Sequence, residues 1–176
     1  MKGHFIAFSH YLERTAQPVG QPAIWRKLDV EAALTAQPLS SQRLTRAMAL
    51  TRSDESEAFA LNGSISLIVQ ALGPGERGRM HSHSFWHLYF VLKGQGASLI
   101  GGERITWSDG DSFYVPAWVE HDLQNLSDTQ DAIVYSVQNL PEQASNGSLM
   151  RKEPGGGYVH IASDLAEDVA ADVPKG

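Results

Sequence analysis

The sequence contains no cysteine in 176 residues. Disulfides, thiolate nucleophiles and cysteine-ligated zinc are excluded together, so any metal must be held by His, Asp or Glu. The redox compartment stays open. A run of Lys and Arg is also missing. With 14 basic against 20 acidic residues the formal net charge is -6, and the clustered positive surface that binds nucleic acid or an anionic membrane is not there. Small molecules or protein partners fit better. Long hydrophobic runs are absent too. No stretch approaches the ~20 apolar residues of a membrane helix, and Phe5-Ile6-Ala7-Phe8 is interrupted by Ser9-His10 before a signal-peptide core can form. A cytoplasmic protein is expected. No internal repeat is found.

What is present is a foldable composition, 42% hydrophobic and 19% charged, at a length that suits one domain with extensions. Residues 1–60 read as an N-terminal extension of mixed helix and strand. Leu28 to Leu34 is Ala-rich with Asp29 and Glu31 at its start, which suits a helix N-terminus. Ser40 to Leu50 has helical spacing, but Ala47 to Thr51 can equally enter a strand. From Ile65 the texture turns β-rich: Ile65 to Leu72 ends at Gly73-Pro74-Gly75, and short strands then recur over 88–92, 97–100, 104–107, 113–115 and 132–137. Gly94, Gly101-Gly102 and Asp109-Gly110 punctuate them. Short strands with glycine turns predict an antiparallel sandwich or barrel over residues 61–145. Residues 146–176 read as a C-terminal tail, flexible or draped over a neighbour, because periodic apolar content is low there.

Four of the seven histidines fall between Gly75 and Asn125: His81, His83, His87 and His121. In a strand, residues two apart share a face, which puts His81 and His83 on one side with Cα atoms about 6.6 Å apart. His87 has the same parity. If the chain stays extended through Ser84-Phe85-Trp86, all three rings point one way, and a bulge there would break the pattern. His121, after the Gly101-Gly102 and Asp109-Gly110 turns, can reach that face from another strand. For His87 the alternative is a packed core histidine bonded to a backbone carbonyl.

The frame around these residues is more specific. Five residues separate Gly75 from His81, one separates His81 from His83, three lead to His87 and six more to Gly94; then five separate Gly110 from Pro116, four lead to His121 and three to Asn125. These spacings resemble the two motifs of the cupin superfamily. The resemblance covers about Gly73 to Pro141 and implies an all-β fold, a double-stranded β-helix (jelly-roll) barrel, in which His81, His83 and His121 are metal ligands. Cupins usually carry glutamate where this chain has His87 and glycine where it has Trp118. A histidine at the first position is similar to cupins with an all-histidine site, which makes His87 a candidate fourth ligand. The run Pro116 to Asp122, with Leu88 to Gly94 upstream, is similar to the gentisate and hydroxynaphthoate 1,2-dioxygenases, which implies three histidines on Fe(II) without a carboxylate.

Imidazole suits several divalent ions. Fe(II) is favoured by the resemblance alone, with Mn, Ni, Cu or Zn open. The expected function is a non-haem Fe(II) dioxygenase, or its small subunit, that cleaves a hydroxylated ring such as gentisate or hydroquinone. The alternatives are a non-catalytic metal- or ligand-binding module, and an isomerase or lyase that uses the metal as Lewis acid. Expected partners are a phenolic small molecule and either a second copy of the chain or a larger catalytic subunit. Tyr89 shares the parity of His87 and is the candidate catalytic residue, orienting a substrate oxygen; the plainer reading is a buried tyrosine with a satisfied hydroxyl. By alternation Glu120 and Asp122 point away from the metal.

Overall fold

A computed structural model describes residues 6–15, 22–37, 46–52, 63–152 and 155–161. Helices α1 (Phe8–Thr15) and α2 (Lys27–Ala36) come first, then strand β1 (Arg46–Ala49). The strands that follow are β2 (Ser66–Leu72), β3 (Ser82–His83), β4 (His87–Lys93), β5 (Gln95–Ile100), β6 (Glu103–Ser108), β7 (Ser112–Val115), β8 (Gln124–Asn125) and β9 (Ala132–Gln138). A short helix α3 (Leu140–Ser145) and strands β10 (Met150–Lys152) and β11 (Tyr158–His160) complete the described chain. Among the described residues no helix is long and apolar enough to cross a membrane.

The strands form two facing layers. One is a five-stranded sheet in the order β1-β2-β9-β4-β7. The other is built from two three-stranded sheets, β11-β10-β3 and β6-β5-β8. Single bridges between Arg77 and Gln124 and between His81 and His121 join these two into a continuous surface. All pairings within the named strands are antiparallel. This is the expected all-β jelly roll.

Between the layers, Leu72, Tyr89, Val91, Trp107, Val115 and Val134 form the core. Alternation along each strand sends these residues inward. A second cluster lies on the outside of the five-stranded sheet, where Val30 and Leu34, one helical turn apart on α2, cover Val69, Ala71 and Ile133. The segment read as Leu28 to Leu34 thus forms a helix because its apolar stripe has a sheet to cover. Of the ambiguous stretch Ser40 to Leu50, residues 38–45 lie outside the described residues, and Arg46–Ala49 is a strand that pairs with β2.

Two features differ from the sequence reading. The chain does not stay extended through residues 84–86: it bends there and passes from β3 in one layer to β4 in the other. The low apolar periodicity after Asn146 conceals β10 and β11. These strands form because β10 supplies backbone partners to β3, with Arg151 opposite His83 and Lys152 opposite Ser82.

Asn125 closes the β-rich segment as an internal staple. Its fully buried amide donates to the carbonyls of Leu72, Gly73 and Gln130 at 2.7–3.1 Å, and its Oδ1 accepts from the Ser127 amide. Replacing it leaves several buried backbone groups without partners, at about 1–3 kcal/mol each. Asn125→Ala is expected to lower stability by about 3 kcal/mol, read as a fall in the urea midpoint with an unchanged slope; a midpoint within error of the parent would refute the staple.

Candidate metal centre

His81 and His121 face each other across the bridge that joins the halves of the second layer. Each donates its backbone N–H to the other's carbonyl, at 3.1 and 2.9 Å. Directly paired residues share a face, so both rings enter the barrel, with centroids 4.5 Å apart. His83 follows two residues after His81 on the same face. Its ring lies 5.4 Å from that of His81 and 4.9 Å from that of His121. One ligand nitrogen from each of the three residues lies within 4.8 Å of the others.

The three rings are oriented by one device. The Nδ1 atoms of His81, His83 and His121 lie 2.7, 2.7 and 2.9 Å from the carbonyl oxygens of Arg79, Phe85 and Val119, each two residues away. A carbonyl can only accept, so each Nδ1 carries the hydrogen and each Nε2 keeps its lone pair. Locking one ring nitrogen so that the other is free to ligate is the arrangement metal-binding histidines show. The Nε2 of His121 is buried with no hydrogen-bond partner among the described residues, an orphan acceptor that a cation would satisfy. The donor set therefore fits a divalent metal.

His87 enters the same space from the opposite layer. Its Nε2 lies 2.9 Å from the Nε2 of His83. Because His83 already carries its hydrogen on Nδ1, the hydrogen in this contact belongs to His87. Its own Nδ1 is buried and has no hydrogen-bond partner among the described residues. His87 is thus in the opposite tautomer from the other three, and it lies outside the group whose ligand atoms mutually approach within 4.8 Å. Its inward aim survives the bend at residues 84–86, since it now comes from the inner face of β4. Tyr89 also faces inward, its ring stacked on His87 at 4.9 Å and on Phe113 at 4.9 Å. Phe85 stacks on His83 at 3.7 Å.

Outside the cage, alternation turns Asp122 away from the metal side as expected, and its side chain is buried. Its Oδ1 accepts from the Leu99 amide at 2.8 Å, and its Oδ2 accepts from Arg77 Nε at 2.7 Å. The sequence reading passed over Arg77, whose partner lies 45 residues further along the chain. Glu120 is exposed. Trp118 adopts φ 65°, the left-handed region that favours glycine. That is why glycine is usual in this place. Its amide donates to the His83 carbonyl at 2.8 Å, and its ring meets Tyr158 edge-on at 5.4 Å. His10 is exposed and His160 sits in β11, both apart from the cage; His4 lies outside the described residues.

Burial is the main cause that holds three of the cage imidazoles neutral, lowering His83 to about 3, His121 to about 4 and His87 to about 2, with neighbouring histidines adding to it. Burial likewise pushes the Tyr89 hydroxyl up. In the unfolded chain these histidines titrate near 6.5. The unfolded state therefore binds more protons below that value, and stability falls as pH drops from about 6.5 toward 4. Metal-stripped protein is expected to lose thermal stability steadily from pH 7 to pH 4.5 in chelator-containing buffer. A flat melting temperature over that range would contradict a neutral cage.

Residues 68–138 match the model of the cupin domain. A 5-aminosalicylate 1,2-dioxygenase from Comamonas is 31% identical over 84 residues, 48% of this chain and 22% of that protein. A 5-nitrosalicylic acid 1,2-dioxygenase from Bradyrhizobium is 25% identical over 154 residues, covering 83% of this chain and 73% of its own length. Among solved structures, a salicylate 1,2-dioxygenase from Pseudaminobacter salicylatoxidans superposes with a TM-score of 0.66 at 19% identity, over 76% of this chain and 39% of that one. The chain thus spans about a fifth of the first of these relatives and under half of the solved one. Residues 68–138 are thus similar to a cupin domain, and the two curated relatives described above are 1,2-dioxygenases of substituted salicylates.

Proposed function

We propose that the chain is a non-haem Fe(II) dioxygenase, or the small subunit of one, that opens a hydroxylated aromatic ring. The observation that carries this is the tautomer lock: three histidine Nε2 lone pairs converge, with no carboxylate in the ligand group found among the described residues. His81, His83 and His121 would hold the ion. Three neutral ligands leave a divalent cation its full charge, which favours a phenolate. Fe(II) bound there supplies the redox chemistry with dioxygen that ring opening requires.

The surrounding residues have defined tasks. Tyr89, kept protonated by burial, donates its hydroxyl hydrogen to a substrate oxygen and so orients it. The ring of His87 forms the floor against which Tyr89 stacks. Phe85, stacked on His83, excludes water from one side of the cage. In this reading residues 61–145 form the catalytic barrel, with 1–60 and 146–176 as extensions. The partner is a second copy or a larger catalytic subunit, and the compartment is the cytoplasm.

A second reading is favoured by the 2.9 Å approach of His87 to His83. Two nitrogens bound side by side to one ion, each at about 2.1 Å, would sit at nearly this separation. If His87 changes tautomer and ligates, fewer positions remain, and the site becomes a binding module or a Lewis-acid centre.

Elemental analysis of protein purified without added metal is expected to find about one divalent ion per chain. His81→Ala and His121→Ala should each abolish it, whereas His87→Ala lowers it only in part. Full occupancy in the His121 variant would rule out the triad. Oxygen uptake with a panel of diphenols is expected for the iron-bearing protein; bound iron without uptake for any of them would establish the second reading.

A further inference from the structure

The inner face of the five-stranded sheet carries a polar row beside the cage. His87 on β4 is directly opposite Gln138 on β9, and Gln138 is directly opposite Ser66 on β2. Opposed residues of antiparallel strands project to the same side, so the three side chains follow one another in single file away from His83. All three are more than nine-tenths buried, at 7%, 5% and 6% exposure. The next rung along the same face is Tyr89, Ser136 and Ile68.

Two polar atoms of this row, His87 Nδ1 and Ser66 Oγ, have no hydrogen-bond partner among the described residues. Buried polar groups are costly unless paired. With His83 Nε2 on the ion, neutral His87 offers a donor or an acceptor at Nδ1 according to its tautomer, and the Ser66 hydroxyl and the Gln138 amide both donate and accept. The row carries no formal charge. A carboxylate or ammonium placed along it would meet no opposite charge there, whereas a hydroxyl or amino group would complete its hydrogen bonds. Neighbouring strands are about 4.8 Å apart, so the row runs for roughly 10 Å, enough to follow a substituted benzene ring.

We propose that His87, Gln138 and Ser66 read the second substituent of the substrate, selecting a phenol with a further uncharged hydrogen-bonding group, such as another hydroxyl. The proposal deepens the ring-cleaving reading above and rests on it for the aromatic ligand.

The test is calorimetric titration of the full-length, metal-bearing protein without oxygen, using phenol and hydroquinone. Hydroquinone is expected to bind about tenfold tighter than phenol, the worth of one net hydrogen bond. Ser66→Ala and Gln138→Leu should each bring the hydroquinone-to-phenol ratio close to one, with phenol affinity and metal content within about twofold of the parent. Ser66→Ala removes a single atom, so it carries the test if Gln138→Leu fails to fold. An unchanged ratio in Ser66→Ala, or a change in melting temperature alone, would overturn the proposal and assign the row to ordered water. Equal binding of phenol and hydroquinone by the parent would also overturn it. Hydroquinone preference without oxygen uptake would sink ring cleavage and leave the row standing; uptake with a ratio that neither variant moves would sink the row alone.

Discussion

The pair of backbone hydrogen bonds between His81 and His121 is the interaction on which the rest depends. It joins two small sheets into the second layer of the barrel, and the same two residues contribute rings to the cage. The fold is closed where the chemistry is placed. An antiparallel pair fixes the separation of its opposed Cβ atoms at about 5 Å, so the approach of the two rings is set by the backbone before any ion is considered. His83 then takes its position from strand geometry alone.

Around that pair, each component acts on the direction of a lone pair. Three carbonyls lock the Nδ1 hydrogens. The buried Asp122 carboxylate, held by Arg77 and the Leu99 amide, fixes the strand behind His121. Trp118 holds a backbone conformation strained for any residue but glycine, and its amide secures the His83 carbonyl. Such strain, of order 1 kcal/mol, persists only when the surroundings over-determine it. Here the surroundings are the β3–β10 pairing and the ring of Tyr158.

Much of this was legible in the sequence, for identifiable reasons. Alternation and glycine turns located β2, β4, β5, β6, β7 and β9, because each has one face in the core. His81 and His83 were legible through the period of two, and His121 through the motif spacing. The bend at residues 84–86 was not, since Ser84-Phe85-Trp86 contains neither glycine nor proline to mark a change of layer. Arg77 and Gln138 escaped because their importance lies in which distant strand faces them, and register between remote strands leaves no local pattern. Strands β10 and β11 escaped because they are short and gain their structure from β3.

The pairing of β10 with β3 has a consequence for the order of folding. His83 is bracketed by backbone partners from residues far downstream, Trp118 and Arg151. A nascent chain emerging from the ribosome can form the β5–β6 hairpin early, because its contacts are local. The strand that bears His83 lacks its β10 partner until residue 151 has been synthesised. Loop closure over such a span is entropically costly and slow. The cage is therefore among the last parts of the molecule to assemble, and for much of its synthesis the chain carries histidines that do not yet converge.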